Sequence, residues 1–171
     1  MHEAGVMTVS DERLRVPKSL TEVTFWVHPE GRVVGEMFLR QQSVSHAGPE
    51  TPAEVLNGED DFLAVRRSDP EEVRFYHRSA VIRVEYTAEV EADLPGVVSL
   101  PCQLHMMDGS LIDGIVREPL APDRARLFDY LNRKQERFLR IFPDARTACL
   151  VNKSYIIRVS APEPAGDTGP A

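Results

Sequence analysis

At 171 residues, with 42% hydrophobic and 27% charged side chains, the chain has the balance of one globular domain or two small ones, not that of a disordered or fibrous polymer. Its formal charge of −7 disfavours non-specific nucleic-acid binding, which draws most of its affinity from neutralising phosphates. No apolar run approaches the roughly 20 residues that span a bilayer. Met1–Gly5 has no basic region leading into an apolar core, so neither membrane insertion nor secretion is expected.

Residues 1–22 read as a loosely held arm whose end adds a strand. Val23–Val27 is rich in β-formers, Pro29-Glu-Gly31 is a turn signal, and Arg32–Leu39 returns as the second strand of a hairpin. Gly35 inside that strand predicts a bulge or sharp bend. A polar loop over residues 40–52 leads to one or two helical turns at Pro52–Asn57, begun by proline and ended by Asn-Gly. Glu59-Asp60-Asp61 reads as solvated, Phe62–Val65 as a strand, and Val73–Tyr76 and Ala80–Tyr86 as two more, broken at His77-Arg78-Ser79.

A linker over residues 87–96 follows, and then the pattern restarts. Val97–Met107 is a strand, Asp108-Gly109 a hairpin turn, and Ser110–Val116 the returning strand, with Gly114 in the place of Gly35. Asp123 reads as the N-cap of a helix over Arg124–Asn132, with Leu127, Phe128 and Leu131 on one face. Phe138-Leu139, Arg146–Val151 and Tyr155–Ala161 complete the unit, and the Pro- and Gly-rich tail over 162–171 is expected to be disordered.

The restart is visible residue by residue. Phe75-Tyr-His-Arg-Ser-Ala-Val-Ile-Arg-Val84 is matched 75 residues later by Leu150-Val-Asn-Lys-Ser-Tyr-Ile-Ile-Arg-Val159. Ser79, Ile82, Arg83 and Val84 recur as Ser154, Ile157, Arg158 and Val159, and the hairpin glycine, Leu-Asn and Phe-Leu recur in the same order. The chain is therefore expected to be a duplication, with repeats at 23–86 and 97–161. Residues 23–86 carry 7 basic and 11 acidic side chains and residues 97–159 carry 10 and 7, so the first copy is acidic and the second mildly basic. Ile82 and Ile157 are both expected in cores.

Each copy reads as five strands with one short helix between strands 2 and 3. Leu104-x-Met106-x-Asp108-Gly109 through Gly114-x-Val116, followed by Leu150–Val159, resembles the two motifs of the Sm-like superfamily. The resemblance implies a mainly β chain of two tandem five-stranded Sm-like/SH3-like small barrels. Lys153 matches the lysine of the bacterial Sm-like RNA chaperone, whereas Ser154 stands where that family carries histidine, and Arg78-Ser79 departs in the same way. The Leu-Asn, Phe-Leu, Ile-x-Val pattern also resembles uncharacterised bacterial domains, a likeness that implies no activity.

Candidate chemistry is sparse. Cys102 and Cys149 are the only cysteines, too few for a disulfide framework and not spaced as a zinc motif, which points to a reducing cytoplasm. Cys102 and His105 are at odd spacing on one strand and so face opposite ways. The five histidines show no metal-ligand spacing. Asp108 and Asp113 flank a hairpin, where turn roles outweigh acid–base catalysis. No enzyme, cofactor or metal is expected.

Three binding readings follow. Duplicated barrels with sheet edges to cover, one copy acidic and the other basic, point to a protein–protein adaptor or assembly module, with self-association among its options. A divergent Sm-like RNA binder would use Arg78, Lys153, Arg124, Arg126, Arg133 and Lys134, with Arg137 and Arg140 nearby, against the acidic net charge. Arg74-Phe-Tyr-His-Arg78 resembles the Arg-x-x-x-Arg of PilZ domains, which implies a cyclic dinucleotide held by Arg74 and Arg78. The family's second motif is approximated by Asp108–Gly114, which is one residue too long.

Overall fold

Among residues 18–88 and 94–162, which the computed structural model describes, the elements are strands with short helices between them. The first seventeen residues, the middle of the expected linker at 89–93 and the tail from 163 lie outside the described residues. In β1 (Lys18–Val27), Val23, Phe25 and Val27 are buried at the alternate positions that put side chains on one face of a pleat. It starts five positions before the Val23 expected as its beginning and pairs along its whole length with β2 (Gly31–Arg40), in which Val33, Met37 and Leu39 are buried.

There follow α1 (Pro52–Leu56), β3 (Phe62–Ser68), β4 (Glu71–His77), a 3-10 turn at Arg78–Ala80 and β5 (Val81–Thr87). The same order then returns. It runs β6 (Val97–Met106), β7 (Leu111–Pro119), a 3-10 turn at Pro122–Arg124, α2 (Leu127–Leu131), β8 (Phe138–Ile141), β9 (Thr147–Asn152), a 3-10 turn at Lys153–Tyr155 and β10 (Ile156–Ser160). The strands form a seven-stranded antiparallel sheet in the order β4-β3-β2-β1-β5-β9-β8 and a three-stranded sheet in the order β10-β6-β7. Neither sheet closes into a complete barrel. A single bridge between Ile115 and Phe142 ties β7 to the end of β8.

Gly35 does not make a bulge. The β1–β2 register runs unbroken from Lys18 opposite Arg40 to Val27 opposite Gly31, with Val23 facing Gly35. The glycine is needed for close approach instead, because a Cβ there would lie 2.6 Å from Val65 Cγ1 and 3.0 Å from the Arg66 carbonyl oxygen. Gly114 stands in the same relation to the second unit, with a Cβ position 3.1 Å from Ile141 Cδ1 and 3.2 Å from the Phe142 carbonyl oxygen. In both places β3 or β8 crosses so near the preceding hairpin that a side chain does not fit.

The irregularity falls on β5 and β10. Trp26 faces Arg83 and Val27 faces Val81, which leaves Ile82 as an extra residue on β5. Likewise Met106 faces Ile156 and His105 faces Arg158, leaving Ile157 extra on β10. An extra residue bends its strand and re-aims its side chain.

α1 is held by a full capping box. Thr51 Oγ1 accepts from the Glu54 backbone N–H at 3.3 Å, and Glu54 accepts in turn from the Thr51 N–H. The Glu54 carboxylate also accepts from Ser43 Oγ at 2.6 Å and pairs with His46, so it gathers the loop before the helix. Burial raises its pKa, but these hydrogen bonds outweigh burial and hold it below the ordinary value. α2 is shorter than expected, with Arg126 at its N-cap making no side-chain cap bond, while Asp123 falls in the preceding 3-10 turn. Pro122 at the first position of that turn sets a separate bend before the helix begins.

Two apolar clusters form the core. The first gathers Val23, Phe25, Met37, Leu56, Leu63, Val65, Val81 and Val84 from the N-terminal elements, together with Phe138 and Leu150 from β8 and β9. The second gathers Leu104, Met106, Ile112, Val116, Tyr130, Leu139, Ile141, Cys149 and Val151, together with Ile82 from β5. Ile82 is thus in a core as expected, but Ile157 is not, being 64% exposed. Among the described residues its strand has a neighbour on one side only, and none of them covers the extra residue.

Ile82→Ala is expected to cost about 2–5 kcal/mol in urea unfolding, whereas Ile157→Ala in the dilute chain stays within about 0.5 kcal/mol. Gly35→Ala is expected to cost about 1–3 kcal/mol, since the new methyl meets a β-branched side chain and a backbone oxygen. An unchanged urea midpoint for Gly35→Ala would show that β3 has room to move away.

Candidate functional site

β5 hydrogen-bonds to a neighbour on each side. On its far side from β1 it pairs with β9, Arg83 facing Val151, Val84 facing Leu150 and Glu85 facing Cys149. Side chains interlock across this joint in both directions. Phe138 and Leu150 enter the cluster built on Phe25 and Val84, and Ile82 enters the cluster built on Leu139 and Val151.

Two asparagines supply the polar half of the joint. Asn57 Oδ1 accepts from the backbone N–H groups of Arg137 and Phe138, each at 2.9 Å, and its Nδ2 donates to the Phe138 carbonyl at 3.4 Å. Asn152 Oδ1 accepts from the Ser154 N–H at 3.0 Å while its Nδ2 donates to the Val81 carbonyl at 3.0 Å. One amide therefore caps a 3-10 turn and reaches across the joint at once. Arg83 lies over the Trp26 ring, its Cζ 3.9 Å from the centroid.

Four strands end the two sheets; β7 and the end of β8 face each other through the Ile115–Phe142 bridge, which leaves two with a neighbour on one side only among the described residues. β4 pairs with β3 alone and β10 with β6 alone. Their open edges carry apolar side chains in solvent: Phe62, Val73 and Phe75 on β3 and β4, and Ile157 on β10. A row of unpaired backbone N–H and C=O groups beside exposed aromatic rings is a ready template for another strand. At the 3-10 turn that leads into β10, a groove of about 460 Å³ is lined by Asn132, Arg133, Lys134, Glu136, Arg137 and Lys153 among others.

The residues singled out from sequence fall into this frame unevenly. Arg78 is buried, and its guanidinium donates to the carbonyls of Leu56 and Gly58 at the end of α1. Arg74 instead lies along β4, donating to Glu72 and, at 3.3 Å, to Tyr76 Oη. The two arginines of the Arg-x-x-x-Arg segment are therefore engaged on different partners, one inside the fold.

Lys153 Nζ donates to the Arg133 carbonyl at 2.6 Å, and burial holds its ammonium below the ordinary pKa. Arg133 pairs with Glu136 at 3.4 Å and Arg126 with Asp129 at 3.1 Å, while Arg140 reaches Glu118 at 3.3 Å. Lys134 and Arg137 are exposed. Arg124 closes its 3-10 turn, and its side chain lies outside what the structure describes. Of the basic set, Arg133, Lys134, Arg137 and Lys153 meet at the groove, whereas Arg78 and Arg126 do not line it.

The joint residues Asn57, Asn152 and Phe138 had no chemical signature in the sequence. Asn57 and Phe138 were visible only as members of the recurring Leu-Asn and Phe-Leu pairs. The comparison with known proteins adds nothing to them: no family model, curated protein or solved structure matches the chain.

Among the described residues, no group of three or more His, Cys, Asp and Glu side chains is placed to hold a metal ion, and no helix is long and apolar enough to cross a membrane. Cys102 and Cys149 are free and buried. Burial pushes the Cys102 thiol up to about 11, with Asp113 adding to it, and the Cys149 thiol up to about 12, with Glu85 adding to it. Since the thiolate is the nucleophile, neither group is armed at neutral pH. A disulfide thiol reagent at pH 8 is expected to leave both cysteines unmodified in the folded chain and to label both in denaturant. Rapid labelling of the folded chain would show a thiol more accessible than its burial implies.

Proposed function

We propose that the chain is a non-enzymatic protein–protein adaptor or assembly module, built from a tandem duplication of one small Sm-like/SH3-like β unit at residues 23–86 and 97–161. The observation that carries this reading is the pair of open edges, β4 and β10, flanked by exposed Phe62, Phe75 and Ile157. Strand addition to an open edge gives affinity through main-chain hydrogen bonds and specificity through the side chains beside it. The β5–β9 joint supports the reading from within the chain, because there the same kind of edge already holds a strand. A reducing compartment, the cytoplasm, suits two free buried thiols.

The groove beside Lys134, Arg137 and Lys153 favours one second reading, a divergent RNA binder. The two readings part in one experiment. A photo-cross-linking aromatic residue in place of Phe75 or Ile157, in cells producing the full chain, is expected to give protein adducts from both positions. The purified chain is expected to hold no RNA at physiological salt. RNA affinity that falls steeply with salt, together with RNA adducts, would replace the assembly reading with the RNA reading.

A further inference from the structure

The internal β5–β9 joint has two halves, and the chain carries a second, unused set of both. By the sequence repeat, β10 corresponds to β5 and β4 to β9. The residues that the joint buries have counterparts that lie in solvent. Phe138 is 1% exposed and Leu150 0%, while their counterparts Phe62 and Phe75 are 57% and 71% exposed. On the receiving side, Ile82 is 7% exposed and its counterpart Ile157 is 64%. Both halves of a joint are present, on opposite elements, with their apolar surfaces uncovered.

We propose that the partner of these edges is a second copy of this chain, β4 of one copy adding to β10 of the next as β9 adds to β5 within the chain. The inference rests on the assembly reading and names its partner. Carrying the β5–β9 register over by the repeat sets Val159 opposite Phe75, Arg158 opposite Tyr76 and Ser160 opposite Arg74 of the second copy. Phe62 then enters the groove beside Asn132, as Phe138 sits beside Asn57.

The polar partners are in place as well. Asn132 occupies the position of Asn57, and its Nδ2 donates to the Phe128 carbonyl at 2.8 Å while its Oδ1 accepts no hydrogen bond from the described residues. That oxygen is available to the N–H groups of Asp61 and Phe62 of the second copy. His77 stands where Asn152 does. Its Nδ1 accepts from the Ser79 N–H at 3.2 Å, as Asn152 Oδ1 accepts from Ser154. The other ring nitrogen is thereby the protonated one, free to donate to the Ile156 carbonyl of the second copy as Asn152 Nδ2 donates to Val81.

Charge is complementary across the external joint as it is across the internal one. The acidic run Glu59-Asp60-Asp61, exposed just before Phe62, would come to the groove that holds Arg133, Lys134, Arg137 and Lys153, where Glu136 offsets one of the four charges through its pair with Arg133. Inside the chain, the corresponding approach to Asn57 is made by the basic stretch that ends at Arg137. Opposite charges on the two free halves favour the contact between copies and steer its direction. The contact is head-to-tail, so each added copy covers one edge and exposes a fresh edge of the same kind, and the assembly grows until it closes on itself or continues as a filament.

Light scattering on the full chain across a dilution series is expected to show species larger than the 19.2 kDa of one chain, shrinking on dilution. Phe75→Glu removes one half of the contact and Ile157→Glu the other, both at exposed positions where circular dichroism is expected to stay unchanged. Each variant alone is expected to run as a monomer. Mixed in equal amounts, the two keep one intact edge each, so they are expected to form a complex of two chains and no larger.

Wild-type chain that stays monomeric throughout the series overturns self-assembly and leaves the assembly reading to the cross-linking result, where adducts with a different protein would sustain it. Single variants that keep the wild-type mass, or a mixture that forms no two-chain complex, overturn the head-to-tail contact.

Discussion

Strand β5 is hydrogen-bonded along both edges, to β1 on one side and β9 on the other, and the rest of the molecule is arranged around that fact. Over Arg83–Glu85, where both registers run, its backbone groups are turned to neighbouring strands and not to water. Val81 and Val84 enter one cluster, and Ile82, displaced by the irregularity opposite Trp26 and Val27, enters the other. One extra residue thus lets a single strand contribute to two cores. The charged members are accommodated at the rim, Arg83 over the Trp26 ring and within 4.0 Å of Glu85.

The same joint explains why the N-terminal and C-terminal halves depend on each other. Units of about 65 residues bury too little apolar surface to be comfortable alone. Here Phe138 and Leu150 complete the cluster of the first half and Ile82 completes that of the second, so separating the halves would open both. Asn57 and Asn152 then make the separation costly in a second way, because the half-buried Phe138 N–H and the buried Val81 carbonyl lose these partners if the joint parts.

Much of this was legible in the sequence. The strand and helix order followed from alternating apolar runs and turn residues, since period-2 burial in β1 and β2 is a local property of the chain. What failed was whatever depended on neighbours distant in sequence. Gly35 signalled an irregularity in the first hairpin, yet the glycine makes room for β3 while the extra residue is Ile82 on β5. Ile157 was expected to share the fate of Ile82 because the two occupy matching positions. Sequence repetition preserves the strand but not what lies beside it, and only β5 has β9. Arg78 and Lys153 looked like matched surface cations, whereas Arg78 is buried against the carbonyls that end α1 and Lys153 partly so against the Arg133 carbonyl.

Open edges are a hazard that folded chains manage, and the way these two are managed says what they admit. β4 carries Glu71, Glu72 and Arg74 along its length and follows Pro70, while β10 carries Arg158 and is followed by Pro162. Charges and flanking prolines of this kind discourage indiscriminate pairing, because a strand arriving in the wrong register meets an uncompensated charge or lacks a donor. The exposed Phe62, Phe75 and Ile157 pull the other way, since burying them is favourable only if a partner brings complementary apolar surface to the same places. On the proposed assembly reading, edges guarded against generic strands and furnished with apolar anchors suit a partner of matching geometry. The only such geometry the described chain exhibits is its own β5–β9 joint.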